Sequence, residues 1–309
     1  MTEAKPSTAL SNVVLLTGAS GFLGRAIAPR LAAAGHRVIG LDPVPGADPA
    51  VRHVADDLGD QSRLTTLLAD EQITHIIHAG GVSGPMVLPD APGRVMAINV
   101  GGSLNLLQAA LDSRVATFVY CSSVSAVGDY YEERPIAEDA PLRPTSAYGC
   151  SKAAVDMVLR GLWRKVPLDL CSLRFTSIYG PGRQTRLVVD DIVAAALAGR
   201  DAHVDPATDW PYVYVDDAAD AAVAACFSTT RRQLVYHVAY PQQVALEELA
   251  ATAAHNAGPV RLVIDETRPR AARGPLDIGP AMRDFGFSPQ VDHREGIRRM
   301  VLAARGRRD

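Results

Sequence analysis

The chain reads as an α/β protein: a doubly wound parallel sheet carrying a small mixed lobe built from its C-terminal third. Three observations predict this. Apolar runs of strand length alternate with stretches of helical period from residue 12 onward. A glycine-rich loop joins the first run to the first helical stretch. The unusual polar clusters each follow a strand, and ligands of such sheets bind at the carboxyl ends of the strands.

The elements follow in order. NVVLLT (12–17) is a short run rich in Val and Leu, as expected of a strand covered on both faces. GFLGRAIAPRLAAAG (21–35) has helical spacing and ends on a glycine; Pro29 inside it predicts a kink or a boundary. HRVIGLD (36–42) is a second strand, DQSRLTTLLADE (60–71) a helix, and ITHIIHAGG (73–81) a strand running into glycines. PGRVMAINVGGSLNLLQAALDS (92–113) predicts a long helix, ATFVYCSS (116–123) a strand, SAYGCSKAAVDMVLRGLWRK (146–165) another long helix and LDLCSLRF (168–175) a strand. Beyond Arg174 the pattern loosens. RLVVDDIVAAALAGR (186–200) is a helix, DWPYVYVDDAADAAVAACF (209–227) a strand passing into a helix, QLVYHVAY (233–240) a strand and VALEELAATAAHN (244–256) a helix. The last stretch places Ile297, Met300, Val301 and Ala304 on one helical face. The domain reading is a flexible lead-in over 1–11, a dinucleotide-binding unit over 12–174 that regains chain near 213–240, and a substrate lobe over 175–309.

Composition narrows the class. With 309 residues, 48% apolar and 21% charged, the chain belongs with globular proteins. A net charge of −3 gives no field suited to nucleic acid or a membrane surface. The polar N-terminus lacks the core of a signal peptide, and no apolar run approaches the roughly 18 residues of a spanning helix. Four scattered cysteines, Cys121, Cys150, Cys171 and Cys226, form no CxxC pair. They suit a reducing cytoplasm and suggest neither a disulfide framework nor zinc.

The glycine loop TGASGFLG (17–24) sets Gly18, Gly21 and Gly24 three apart, between a strand and a helix. Such glycines allow a tight turn, close approach to a pyrophosphate and close packing of helix on sheet. Ser20, Gly21, Phe22, Leu23 and Gly24 open the helix, where backbone N–H groups and the helix dipole favour phosphate. Alone, the loop reads equally well as an ordinary βα turn. Asp42, at the end of the second strand, raises the dinucleotide reading to a Rossmann-type site. A carboxylate there accepts from both ribose hydroxyls and repels a 2′-phosphate, and no Lys or Arg follows until Arg52. The expected cofactor is therefore NAD rather than NADP.

YGCSK (148–152) holds the second cluster. The chain has three lysines, Lys5, Lys152 and Lys165, against 28 arginines. Tyr148 and Lys152 stand at i and i+4, on one helical face. A free tyrosine, with a pKa near ~10, is a poor base at neutral pH. A neighbouring ammonium favours the phenolate, and the pair then moves a hydroxyl proton while hydride is exchanged with a nicotinamide. Lys152 also has donors to offer a ribose.

TGASGFLG, Asp42, Asp57–Leu58, HAGG (78–81), Asn99, CSSVSAVG (121–128), YGCSK and RFTSIYGPG (174–182) stand in the order and spacing of the extended short-chain dehydrogenase/reductases. The chain thus resembles the NAD-dependent epimerase/dehydratase family over roughly residues 12 to 302. The resemblance implies that Ser123 positions a substrate hydroxyl or carbonyl and that Asp57 and Leu58 flank the adenine. It implies that Ala79, Gly80 and Gly81 pass under the pyrophosphate and ribose, and that Asn99 sits behind the catalytic tyrosine. His78 reads as structural, and no spacing calls for a metal. The long helices 92–113 and 146–165 resemble those that pair in family dimers, so a homodimer is expected.

The reaction is narrowed by departures from the family pattern. Where its dehydratases carry an acid pair after the serine or threonine, this chain has Val124 and Ser125. Where nucleotide-sugar members place an arginine before the VYVDD segment, Asp209, Trp210 and Pro211 stand. Thr176 and Ser177 replace the Asn favoured by 4-epimerases. Ser83, Ser123, Ser125, Thr176, Ser177 and Arg183 are the candidate substrate contacts; Arg183 is either a carboxylate holder or a surface cation. Trp210 and Tyr212 read as lobe packing. The expected activity is NAD-dependent hydride transfer on a small hydroxylated molecule, a sugar or sugar acid without a nucleotide. The alternative is a sugar or nucleotide-sugar epimerase that keeps its NAD, and a third reading is a non-catalytic NAD-binding regulator.

Overall fold

In the computed structural model, residues 12–46, 48–82, 87–129, 134–205, 211–267 and 274–306 are described. Seven parallel strands form the main sheet: β1 (Val13–Thr17), β2 (Arg37–Leu41), β3 (Val51–Val54), β4 (His75–His78), β5 (Thr117–Ser123), β6 (Asp169–Phe175) and β10 (Val235–Val238). Their order across the sheet is β3-β2-β1-β4-β5-β6-β10. The order reverses beside β1, and the crevice at that switch point is where such sheets bind ligands. All seven residues of β5 are buried, the polar Thr117, Ser122 and Ser123 together with the apolar FVYC between them.

Alternate residues of each strand feed opposite layers. Val14, Leu16 and Ile77 pack with Ile27 and Leu31 of α1 (Phe22–Ala33) and with the alanines of α7 (Val215–Phe227). Leu15, Phe118 and Tyr120 pack on the other face. Their partners are Leu64 and Leu68 of α2 (Gln61–Asp70), Leu106 and Leu107 of α4 (Ser103–Leu111), and Val155 and Leu159 of α5 (Ala147–Leu162). The lobe has its own core, in which α6 (Val188–Ala198), α8 (Leu246–Ala257) and α10 (His293–Arg305) surround Tyr179, Tyr212 and Tyr214.

The structure adds to the sequence reading. β3 pairs with β2 as an edge strand; of its four residues only Val51 is buried, so VRHV carries no strong apolar pattern. Three-residue pairs in the lobe, β7 (Ser177–Tyr179) with β9 (Tyr212–Tyr214) and β8 (Ala202–Val204) with β11 (Leu262–Ile264), are too short to show a period. So is α9 (Gly279–Phe285), which completes the helices. Helix α1 runs through Pro29 to Ala33, so the proline does not end it. The helix expected over 92–113 is interrupted: α3 (Pro92–Met96) passes through a π-helical turn, Ala97–Gly102, before α4. Such turns concentrate at functional sites, and this one contains Asn99.

Candidate active site

The glycine loop leaves β1 with Gly18 at φ +67°, a conformation that L side chains rarely adopt. A Cβ there would lie 2.7 Å from the Ala79 carbonyl oxygen, and one on Gly24 would lie 2.1 Å from the Gly18 carbonyl oxygen. The loop is therefore pressed against residues 79–80 on one side and its own helix on the other. Asp42 stands at the tip of β2. Its Oδ2 accepts from the Ser20 N–H (3.2 Å) and its Oδ1 from the Val44 N–H (2.9 Å). The Ser20 hydroxyl donates to the Val44 carbonyl at 2.6 Å. Two of a carboxylate's roughly four acceptor positions are so occupied, leaving others for ribose hydroxyls. Asn105 pins the next loop by donating to the Leu58 and Gly59 carbonyls at 2.9 and 3.1 Å. Leu58 lies against Gly102 of the π-turn, where a Cβ would come within 2.9 Å of its own. The bare backbone, the free helix N-terminus and the acid together fit NAD.

Ser123 closes β5, where its buried hydroxyl accepts from the Ser125 N–H at 3.1 Å. α5 begins at Ser146, whose side chain accepts from the Gly149 N–H at 3.0 Å, so the RPTSA loop ends in a true N-cap. Two residues on stands Tyr148, half-buried; burial raises its phenol above the ordinary value, while the Ser123 hydroxyl and the Arg183 guanidinium pull it down. Lys152 is buried with its Nζ 2.8 Å from the Cys121 carbonyl oxygen, 4.7 Å from the Tyr120 ring centre and 5.8 Å from that of Tyr148. Burial brings this ammonium down to about 8, against the pull of Cys121 and Asp156.

The groups acting on the phenol thus differ from expectation, because the lysine's hydrogen bond goes to β5 and not to Tyr148. Arg183 also takes a different part. Its Nε donates to the Thr185 carbonyl (2.6 Å) and its Nη1 to that of Ile178 (2.7 Å), and its guanidinium lies 5.8 Å from the Phe22 ring. It is a braced, partly buried cation over the site, not a loose surface charge. The buried Thr176 hydroxyl lies 3.4 Å from the Val238 carbonyl, while Ser177, half-buried, begins β7. Ser83, Asp209 and Trp210 lie outside the described residues.

Asn99 is buried and fully engaged. Its Oδ1 accepts from the Val82 N–H (2.8 Å), and its Nδ2 donates to the Val82 carbonyl (3.1 Å) and to Ser151 Oγ (3.0 Å). Ser151, which sequence reading passed over, donates in turn to the Tyr148 carbonyl at 2.7 Å. Its position beside Lys152 was the only signal available. Among the described residues, no three His, Cys, Asp or Glu side chains gather as a metal site would require, and no helix is long and apolar enough to cross a membrane.

Known proteins resemble this chain in sequence and in fold. The family model for the NAD dependent epimerase/dehydratase family matches residues 14–239. A UDP-glucose 4-epimerase of Mycolicibacterium smegmatis is 31% identical, covering 93% of this chain and 96% of its own. A dTDP-glucose 4,6-dehydratase of Streptomyces antibioticus is 28% identical over 93% of this chain and 91% of its own. The crystal structure of Thermus thermophilus UDP-glucose 4-epimerase in complex with NAD superimposes with a TM-score of 0.84 at 29% identity, covering 95% of this chain and 99% of that one. These relatives are named for nucleotide sugars, which favours the epimerase alternative over a sugar without a nucleotide. The family match runs over residues 14–239: the chain belongs to the NAD dependent epimerase/dehydratase family, an enzyme of the extended short-chain dehydrogenase/reductase type whose cofactor is NAD.

Proposed function

We propose that the chain is an NAD-dependent sugar epimerase acting on a nucleotide sugar. The observation that carries this reading is the convergence of Ser123, Tyr148 and Lys152 at the strand ends, with Val124 and Ser125 beside them. Val124 is buried and apolar, and Ser125 offers only a hydroxyl, so neither supplies the acid or base needed to eliminate water. What remains is oxidation and its reversal. Tyr148 takes the proton of a sugar hydroxyl and later returns it. Ser123 orients the reacting oxygen by hydrogen bond, and Lys152 fixes the ribose side of the cofactor site. The glycine loop at Gly18, Gly21 and Gly24 and the Asp42 carboxylate would hold NAD, which would supply reversible hydride acceptance.

A second reading is net oxidation of a sugar or sugar acid without a nucleotide. Pro211 favours it, as one of the three residues standing where nucleotide-sugar members place an arginine. Incubation with UDP- and dTDP-sugars and with free sugars and sugar acids separates the two. Inversion seen by NMR without net NADH supports the epimerase; NADH release with a free sugar acid supports the second reading and overturns the first. Asp42→Ala is expected to weaken NAD binding and to relax discrimination against NADP, read by calorimetry with each cofactor.

The partner proposed is a second copy of the chain, paired through the exposed Met96, Ile98, Met157 and Val158 on the π-turn region and α5. All four cysteines are free, which suits a reducing cytoplasm, the location proposed here.

A further inference from the structure

The glycine loop and the catalytic helix are joined by one buried line of hydrogen bonds whose centre is His78. The Gly80 N–H donates to Thr17 Oγ1 at 3.1 Å. Thr17 Oγ1 lies 2.6 Å from His78 Nδ1, and His78 Nε2 lies 2.8 Å from Ser103 Oγ. Ser103 Oγ donates to the Asn99 carbonyl. Thr17, His78, Ser103 and Asn99 are each no more than 2% exposed.

The protons along this line can be placed. A serine hydroxyl has one hydrogen, and that of Ser103 is spent on Asn99. His78 Nε2 must therefore carry a hydrogen and donate to Ser103. Burial and the nearby Lys152 charge hold the imidazole neutral, with a pKa of about 3, so Nδ1 is bare. It accepts the Thr17 hydroxyl, whose lone pair receives the Gly80 N–H. Every donor has one acceptor, and the line runs in one direction from Gly80 to Asn99. Asn99 continues it through Ser151 to the Tyr148 backbone. A second path is by packing: the His78 ring lies 5.5 Å from that of Tyr120, whose face meets Lys152 Nζ at 4.7 Å.

We propose that His78 is a positioning residue: as a neutral Nε2–H imidazole it ties the ends of β1 and β4 to the π-turn and thereby sets the cofactor cradle and the catalytic helix in register. The physical reason lies in the loop 79–82. Thr17 grips it at Gly80 and Asn99 grips it at Val82, and His78 with Ser103 is what holds these two grips at a constant separation. Without it, the π-turn and the strand ends keep their apolar packing but lose their shared polar reference. The role rests on the hydride-transfer reading for its effect on turnover, but its effect on NAD binding does not.

The test compares His78→Phe, which keeps the ring volume and removes both hydrogen bonds, with His78→Gln, whose amide restores a donor toward Ser103. NAD affinity is measured by calorimetry without sugar, together with melting temperature and, on an accepted sugar, kcat and KM. His78→Phe is expected to weaken NAD binding and to lower kcat by up to about 10²-fold, with KM for the sugar little changed, because small misplacements of reacting groups act on rate. His78→Gln is expected to recover most of both. Should His78→Phe fail to fold, Ser103→Ala carries the test: it cuts the line beyond His78 and is expected to weaken NAD binding and to lower kcat. His78→Phe with parental NAD affinity and kcat and only a lowered melting temperature overturns the proposal, as does Ser103→Ala with parental NAD affinity and kcat. Failure of the parental protein to turn over any nucleotide sugar would count against the epimerase reading alone, since NAD affinity still reports on His78.

Discussion

At the scale of residues, the site depends on charges held out of water. Burial holds the Tyr148 phenol above its ordinary value, while the Ser123 hydroxyl and the Arg183 guanidinium pull it down; these two groups favour the phenolate that must take the sugar's proton. Tyr148→Phe removes the proton carrier and leaves the ring; turnover is expected to fall by about 10²–10⁴-fold with NAD affinity unchanged. Parental turnover in that variant would exclude Tyr148 from the proton transfer. Lys152 titrates near 8 in the fold against 10.5 when exposed. Its charged form is thus disfavoured by folding. That cost is fully present below about pH 8 and fades as the pH rises toward 10.5, because over this range the unfolded chain binds more protons. Lys152→Met avoids the cost. Relative to the parent, the variant should be most favoured at pH 6–7 and lose that advantage by about pH 10, as read from denaturant titrations across the range. A pH-independent difference would show that Lys152 is not buried as a charge.

At the scale of elements, α5 is the part that must not move. It is capped by Ser146, back-bonded through Ser151, and tied to the sheet by a buried ion pair. Asp156, one turn beyond Lys152, accepts from Arg174 Nε (2.8 Å) and from the Ser172 hydroxyl (2.6 Å), and Arg174 Nη1 donates to the Glu138 carbonyl (2.9 Å). Both ionic side chains are essentially inaccessible. Removing one partner leaves the other charge uncompensated in the interior, so Asp156→Ala should cost about 3–5 kcal/mol, measured by denaturant unfolding. A cost under about 1 kcal/mol, the level of surface pairs, would mean that water reaches the pair. Contrast Arg30 with Asp216 and Asp220, which link α1 to α7 at the surface, where solvent screens the attraction.

At the scale of the whole molecule, four of the seven exposed large apolar side chains among the described residues fall on neighbouring elements, while Val44, Met282 and Leu302 lie elsewhere. Met96, Ile98, Met157 and Val158 sit on elements that pack against one another, and Met157 is 57% exposed. Exposed apolar side chains on neighbouring elements suit an isologous pair better than a monomer. Met157→Glu places a charge among them and is expected to turn the proposed two-chain form into one chain in light scattering, with NAD binding retained. A parental protein already monomeric at micromolar concentration would remove the dimer.

The sequence by itself determined the alternation of strands and helices, the glycine loop, Asp42 and the Tyr148–Lys152 pair. Each of these is a local pattern, written in a period of 2 or 3.6 or in a turn that only glycine makes comfortably. Tertiary structure alone decided which polar atoms meet. The edge strand β3 and the three-residue lobe strands carry too few apolar residues to announce themselves. The π-turn lies inside a stretch whose helical period looks unbroken. Arg183 and Ser123 come together at Tyr148 from different elements, and Thr17, His78, Ser103 and Asn99 are drawn into one line from two strand ends and a helix. Hydrogen-bond partners distant in sequence leave no periodic trace in it; they are chosen when the sheet order brings β1, β4 and β5 side by side and the buried donors and acceptors must find one another.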